Sequence, residues 1–200
     1  MSDNGGLIQR QSKFVHESVM GQPPTSNAPL RGGKAEIYEG GLRVPLIISG
    51  KGFQAGSIDD QSVVSSVDIY PTLMDLTGIK TGKEIIDGKS LLPLLKGKKA
   101  KKNEFFCHLP VYFHQTKHIP ATSLRKDDWK LIRFYGDGEN GEDRYELYNL
   151  SEDISEKNNL SEEDSKKMNE LMEMYDYLTI TKDIDYIDEW TEIASLAKPM

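Results

Sequence analysis

Apolar positions in the first half of the chain predict a helix and a buried strand. Between residues 62 and 78 apolar side chains recur every three to four positions, which is helical spacing. Asp68 can cap this helix, which places Pro71 in the first turn, and Gly78 suits the residue that follows it. A short apolar, β-branched run at residues 43–50 predicts a strand that is buried on both faces.

In the second half the pattern changes to alternation, which is typical of antiparallel strands. The predicted strands are residues 105–113, 123–125, 129–135 and 144–148. A glycine-rich stretch at 136–141 predicts a hairpin loop between the last two strands. Residues 162–178 follow a capping sequence and carry apolar side chains on one face. We therefore predict an α+β arrangement in which a small antiparallel sheet packs against this helix.

Composition narrows the class of protein. The 200 residues carry a net charge of −7, which argues against a general nucleic-acid binder. No apolar run approaches the roughly 18 residues of a membrane span. The opening residues lack the basic start and apolar stretch of a signal peptide, so the chain leaves its localisation unknown. One cysteine excludes an internal disulfide framework and a four-cysteine zinc site.

Two short segments could carry binding chemistry. Asp3 and Asn4 place a carboxylate and an amide oxygen side by side, which is part of an oxygen-ligand set for a cation such as Ca²⁺; the alternative is an Asn-Gly turn without a ligand. Residues 31–34, Arg-Gly-Gly-Lys, fail the phosphate-loop pattern because Ala35 stands where Ser or Thr is needed. They leave Lys34 on a glycine-rich backbone, as a point charge suited to a sulfate or phosphate oxygen or simply as an exposed lysine.

A second group of candidates combines Cys107 with His108, His114 and His118. The three histidines share even parity and would lie on one face of an extended strand. Their spacing matches no zinc finger, and only one thiol is available. Each histidine therefore has a structural role or binds a polar ligand. The absence of a Gly-x-Ser-x-Gly sequence argues against a serine hydrolase.

Six short segments carry a family resemblance: residues 2–6, 30–45, 67–73, 87–91, 125–132 and 146–150. In this order they resemble the later half of a sulfatase of the arylsulfatase type, within the alkaline-phosphatase-like superfamily. The resemblance implies an α/β fold in residues 1–98, which would end the large catalytic domain. It also implies a smaller α+β subdomain in residues 99–200.

The resemblance assigns roles to five residues. Asp3 and Asn4 match the pair that ligates the calcium ion of sulfatases, and Lys34 matches the lysine that contacts a sulfate oxygen. Glu39 and Arg43 match positions that we interpret as structural, an ion pair supporting the lysine loop.

More loosely, the segment with His108 and His114 resembles a histidine-bearing strand that reaches the substrate sugar in carbohydrate sulfatases. Two alternatives to sugar contact stay open: a histidine that is hydrogen-bonded within its own sheet, and a zinc ligand. Imidazole offers one donor and one acceptor to sugar hydroxyls near neutral pH.

The chain also departs from the family pattern. The formylglycine nucleophile of sulfatases arises from a Cys/Ser-x-Pro-x-Arg motif, and Cys107 is followed by His-Leu-Pro-Val instead. We therefore expect formylglycine in a missing N-terminal half, an incomplete calcium site here, and an isolated chain without activity. The expected substrate of the intact enzyme is a sulfated carbohydrate or an aryl sulfate, with no nucleic-acid partner.

Two other functions stay open at this stage. One is a non-catalytic binding or self-associating fragment, and the other is a related phosphatase or phosphonate hydrolase. The resemblance to sulfatases implies a periplasmic, secreted or lysosomal location for the intact enzyme.

Overall fold

The computed structural model describes residues 1–8, 25–80, 82, 85–98, 104–113 and 117–181. The chain divides into two units. The first unit combines Met1–Leu46 with Phe106–Met200, and the second is Ile47–Phe105. These two units are defined by contacts within the chain. The predicted boundary at residue 98 separates the end of a catalytic domain from a smaller subdomain, and it stays a prediction.

A four-stranded sheet forms the centre of the first unit. Its strands are β1 (Glu104–Leu109), β2 (Ala121–Lys126), β3 (Trp129–Phe134) and β4 (Arg144–Asn149), in the order β1-β2-β3-β4. Strands β2, β3 and β4 pair antiparallel, and Leu131 stands opposite both Leu124 and Leu147. Asp127, in the two-residue turn before β3, takes a φ of 53°, which suits a tight hairpin. The predicted antiparallel sheet is confirmed.

Helix α4 (Ser165–Thr181) covers one face of this sheet. Leu171 and Tyr175 lie four residues apart, so they share one side of the helix, and both are buried. They pack against Leu124, Leu131 and Leu147, which alternation places on the same side of their strands. The predicted helix is confirmed, with its start three residues later than expected.

The chain before the sheet covers the opposite face. Ile37 is fully buried there against Ile132 and Phe134, just ahead of the short helix α1 (Glu39–Leu42). Ala121, Tyr148 and Leu150 complete the buried part of this cluster. The sheet is thus enclosed between α4 and residues 37–42, and the second covering segment directly follows the loop that carries Lys34.

The second unit contains a 3₁₀ turn (Ser66–Asp68), α2 (Ile69–Thr77) and α3 (Leu92–Leu95). The carboxylate of Asp68 accepts hydrogen bonds from the backbone N–H groups of Ser65 and Lys89. Gly78 ends α2 with a φ of 70°, as its position predicted. The helix begins later than residue 62, because the Asp68 carboxylate fixes the turn before it.

The prediction of a strand at residues 43–50 is wrong. No strand forms there, and Ile47 is 86% exposed. A strand buried on both faces needs neighbouring strands to accept its backbone hydrogen bonds. Within the described residues, none pairs with this segment.

None of the helices in the described ranges is both long enough and apolar enough to cross a lipid bilayer.

We expect Leu171→Ala to lower the free energy of unfolding by about 2–5 kcal/mol, because it leaves a cavity between α4 and the sheet. The control is Glu173→Ala, an exposed position on the same helix, which should change stability by less than about 0.5 kcal/mol. Urea denaturation followed by circular dichroism measures both. Equal effects of the two substitutions would contradict the described packing of α4.

Candidate functional site

Backbone hydrogen bonds hold the two predicted binding segments side by side. The N–H of Lys34 donates to the carbonyl of Gly6 at 3.1 Å. The N–H of Gly5 donates to the carbonyl of Gly41 at 3.0 Å, and Gly40 donates to Arg31 at 2.7 Å. The structure therefore joins the Asp3 segment (residues 1–6) to the Lys34 loop (residues 31–36), although some 30 residues separate them in sequence.

Glycine is required where these segments meet. A Cβ atom on Gly5 would lie 1.7 Å from the carbonyl oxygen of Gly40, and one on Gly40 would lie 2.2 Å from that of Gly32. Such distances are far below van der Waals contact, and backbone atoms cannot turn aside as side chains can. Gly5, Gly33, Gly40 and Gly41 thus allow close approach of backbone to backbone.

Asn27 is a further component that the sequence analysis missed. Its side-chain oxygen accepts the N–H of Gly6 at 3.0 Å, and its amide nitrogen donates to the carbonyls of Gly6 and Gly32 at 2.8 and 3.0 Å. One side chain therefore ties together the Asp3 segment and the Lys34 loop. Its only sequence signal was a place in a stretch of loop composition, which does not reveal long-range contacts.

The three candidate binding side chains lie at the surface of this junction. Asp3 and Lys34 are exposed, and Asn4 is half-buried. A carboxylate and an amide oxygen are donors that suit Ca²⁺, so Asp3 and Asn4 fit two positions of its ligand set. No group of three His, Cys, Asp or Glu side chains placed to hold a metal occurs in the part of the chain that the structure describes. Further ligands would have to come from elsewhere.

Behind this surface lies a buried ionic network around Lys130. Its ammonium nitrogen is 3.0 Å from Oε1 of Glu39 and 2.8 Å from Oε1 of Glu156. All three side chains are buried. Arg125 approaches Glu39 at 3.4 Å, and the N–H of Glu39 donates to Oε2 of Glu156 at 2.7 Å. The network therefore fixes α1 on the sheet through both the backbone and the side chain of Glu39.

The two carboxyl groups respond differently to this environment. Burial by itself would raise the pKa of Glu39, but the nearby cations, Lys130 above all, outweigh it and hold that pKa below its usual value. Burial raises the pKa of Glu156. The positive charge of Lys130 offsets only part of this rise, and the negative charge of Glu39 adds to it. Glu39 is thus the more firmly ionised member of the pair.

Arg43 is a weaker partner of Glu39 than the sequence analysis suggested. Its guanidinium lies 4.0 Å from Glu39 and is 41% exposed. An exposed pair at that distance contributes little to stability. The supporting role predicted for Glu39 and Arg43 stays a prediction, and the shortest contact of the Glu39 carboxylate in the described structure is with Lys130.

Arg31 anchors the start of the Lys34 loop. Its guanidinium donates to the hydroxyl of Tyr148 at 3.0 Å and to the carbonyl of Glu156 at 2.8 Å. It also lies 3.7 Å from the centre of the Tyr38 ring, a cation–π distance. The loop is consequently held at Arg31 on one side and at Glu39 on the other.

His108 lies on β1 and is bonded within the sheet. Its Nδ1 is 2.7 Å from the hydroxyl of Thr122. That hydroxyl is hydrogen-bonded to the hydroxyl of Tyr135, which in turn is hydrogen-bonded to that of Tyr175 on α4. Among the residues that the structure describes, no hydrogen-bond partner reaches the buried Nε2 of His108, and burial lowers the pKa of this histidine. These contacts favour the structural alternative for His108, while substrate contact stays a prediction.

The remaining members of the histidine group do not form a described metal site. His118 is buried in the bridge to Phe113, and Cys107 faces the apolar cluster around Ile132. His114, the other predicted sugar ligand, lies outside the described residues.

Comparison with known protein families assigns this chain to a class of hydrolases. The sequence model of the family N-sulphoglucosamine sulphohydrolase, C-terminal, matches residues 33–199. The chain therefore belongs to this family of sulfatase C-terminal regions, as the resemblance predicted.

Individual relatives agree with this assignment. A sulfatase of Formosa agariphila is 36% identical over 167 residues, which cover 78% of this chain and 27% of the relative. Mouse arylsulfatase K is 38% identical over 128 residues, covering 62% of this chain and 22% of the relative. The chain thus spans about a quarter of the length of the curated relatives it matches.

Solved structures share the fold. A Bacteroides thetaiotaomicron protein, solved in work on the metabolism of multiple glycosaminoglycans, superposes with a TM-score of 0.66 at 26% identity. The match covers 90% of this chain and 38% of that one. A phosphonate monoester hydrolase of Silicibacter pomeroyi superposes with a TM-score of 0.60 at 20% identity, over 74% of this chain and 31% of that one, which shows a common fold alone.

We expect Lys130→Met to lower the free energy of unfolding by about 3–5 kcal/mol, because it leaves two buried carboxyl groups without their shared cation. Lys166→Met, at an exposed helix position, is the matched control and should have little effect. Urea denaturation at neutral pH measures the difference. A Lys130→Met protein as stable as the control would contradict the ionic network.

His118 should make stability depend on pH. Burial lowers its pKa from 6.5 to about 4, so the unfolded chain takes up a proton in a range where the folded chain does not. Its contribution to stability is therefore present above pH 6.5 and is lost as the pH falls towards 4. Between these two pH values the free energy of unfolding should fall with decreasing pH, and His118→Gln should reduce that slope by up to about 1.4 kcal/mol per pH unit. Unfolding curves at several pH values test this, and an unchanged slope would contradict it.

Proposed function

We propose that this chain is the C-terminal part of a sulfatase that hydrolyses sulfate esters of a carbohydrate. In this proposal Lys34 contacts a sulfate oxygen, and Asp3 and Asn4 supply part of a calcium site. The observation that carries it is the 3.1 Å hydrogen bond from the Lys34 N–H to Gly6, which joins the two segments. Residues 1–98 then end the α/β catalytic domain, and residues 99–200 form the smaller subdomain.

The chemistry of sulfate explains why these groups belong together. A sulfate ester is anionic, and further negative charge develops on its oxygens as the ester bond breaks. An exposed ammonium on a fixed backbone can neutralise part of that charge without being reorganised. A bound calcium ion would supply additional positive charge at the same place. In this scheme Lys34 contacts the sulfate group directly, and Asp3 and Asn4 would be ligands of the calcium ion beside it.

A carbohydrate is the favoured carrier of the sulfate. The matching family is named after an enzyme that acts on N-sulphoglucosamine. One structural neighbour was solved in work on glycosaminoglycan metabolism. The neighbour with the phosphonate hydrolase activity shares the fold only, so it does not favour a phosphonate substrate.

The isolated 200-residue chain should not turn over a sulfate ester. Its sequence contains no Cys/Ser-x-Pro-x-Arg segment from which a formylglycine nucleophile could form. Asp3 and Asn4 supply only two of the six or more oxygens that calcium takes, so calcium binding by this chain alone should be weak.

The test of this proposal uses the full-length protein that carries this chain. We expect Lys34→Ala to lower kcat/KM for an aryl sulfate by roughly 10²–10³, the usual loss when a charge-stabilising group is removed. Lys166→Ala, at an exposed helix position, is the control and should stay within about twofold of the unchanged enzyme. A chelator should abolish turnover, and added calcium should restore it.

Two results would contradict the proposal. One is a Lys34→Ala enzyme that keeps the unchanged rate on sulfate esters. The other is faster turnover of a phosphonate monoester than of the matching sulfate, which would support the phosphonate hydrolase alternative instead.

A further inference from the structure

We propose that Glu156 is a positioning residue that sets the place of the Lys34 loop and of the Asp3 segment. The inference rests on the proposed function, because it assigns a purpose to the position of Lys34. Glu156 lies in the turn after β4, more than 100 residues from either binding segment, and nothing in its local sequence marks it as part of a site.

The carboxylate of Glu156 holds the chain on one side of the Lys34 loop. Its Oε2 accepts the N–H of Glu39 at 2.7 Å, and its Oε1 lies 2.8 Å from the Lys130 ammonium. The side chain is fully buried. A buried carboxylate with a cation and a backbone donor has few alternative positions, because moving it would leave charges unpaired at low dielectric.

The backbone of the same residue holds the other side of the loop. The carbonyl of Glu156 accepts a hydrogen bond from the Arg31 guanidinium at 2.8 Å. Arg31 begins the Lys34 loop, and Glu39 follows its end. One residue therefore contacts both sides of the loop, through its carbonyl at Arg31 and through its carboxylate at Glu39.

The conformation of Glu156 is an independent sign of constraint. Its φ is +51°, in the left-handed region that residues other than glycine seldom adopt. Asp153 fixes this turn: its carbonyl accepts the N–H of Glu156 at 3.1 Å, and its carboxylate accepts those of Lys157 and Asn158 at 2.7 Å each. An unfavourable backbone conformation persists only where the surrounding contacts determine it, and such positions concentrate at functional sites.

The contacts continue from Glu39 to both binding segments. Gly40, the next residue, donates to the carbonyl of Arg31 at 2.7 Å, and Gly41 accepts the N–H of Gly5 at 3.0 Å. Gly5 directly follows Asn4. A displacement of Glu39 would therefore shift the Lys34 loop and the Asp3 segment together.

The first experiment measures amide hydrogen exchange by NMR in the 200-residue chain and needs no sulfatase activity. We expect Glu156→Ala to accelerate exchange at Lys34, Gly40 and Gly41 at least tenfold, while amides of β3 stay protected. Glu156→Gln keeps an acceptor oxygen for the Glu39 N–H and should change these rates less than threefold. Glu152→Ala, at an exposed position of the same turn, is the control.

Loop exchange within twofold of the unchanged chain in a folded Glu156→Ala protein would overturn the inference. If that variant does not fold, Asp153→Ala decides instead. It leaves the buried carboxylate of Glu156 in place but removes the acceptor for the N–H groups of Lys157 and Asn158, and we expect loop exchange to rise at least fivefold with β3 unchanged. Unchanged loop exchange in Asp153→Ala would equally overturn the inference.

The second experiment is a double-mutant cycle in the full-length enzyme. Because Glu156 is proposed to act through both the Lys34 loop and the Asp3 segment, Glu156→Ala should lower kcat/KM for an aryl sulfate about tenfold in the presence of Lys34 and by a smaller factor, about threefold, in the Lys34→Ala background. Glu156→Gln should restore most of the loss. Additive effects would mean a general structural role and would overturn the positioning inference. If Lys34→Ala itself has no effect, the proposed function fails, and the exchange experiment still decides whether Glu156 orders the loop.

Discussion

The ammonium of Lys130, enclosed between Glu39 and Glu156, is the interaction on which the arrangement of the site depends. Alternation along β3 turns Lys130 to the same face as Ile132 and Phe134, where it is almost fully buried. An unpaired ammonium cannot stay there, because desolvation costs several kcal/mol. The covering segment and the turn after β4 therefore each bring a carboxylate to this one point. An apolar contact alone would not specify the position of the covering segment along the sheet so narrowly.

Because β3 has two faces, the same strand connects the site to the rest of the first unit. Leu131, next to Lys130, points to the other side and packs under Leu171 of α4. The helix contributes apolar burial, which is strong but tolerant of small shifts. The opposite face contributes charged and hydrogen-bonded contacts, which depend closely on distance and direction. The fold thus separates the contacts that mainly provide stability from those that fix the glycine-rich junction.

How much of this could be predicted from the sequence follows from the range of each interaction. Alternation and helical spacing are local, so the sheet and α4 were predicted well, and Gly78 was placed correctly. Residues 43–50 have the composition of a buried strand, but composition cannot provide the neighbouring strand that the prediction requires. Asn27, Lys130 and Glu156 act across long sequence separations, and no local pattern distinguishes them from ordinary polar residues of loops and strands. The family resemblance pointed to Asp3, Asn4, Lys34, Glu39 and Arg43 but not to Asn27, Lys130 or Glu156.

The chain places two lysines in opposite environments, and the contrast explains how a mobile side chain can belong to an ordered site. Lys34 is exposed, so its ammonium is available to an anion, but a lysine side chain has many rotamers and costs conformational entropy to fix. Lys130 is buried and neutralised by carboxylates, so it is unavailable to a ligand but holds Glu39 and, through it, the backbone that carries Lys34. In the proposed sulfate site, the entropy lost on anion binding would then be confined to one side chain, because the loop backbone is already held in place. A charge-stabilising group on a pre-ordered backbone is more effective than the same group on a flexible loop.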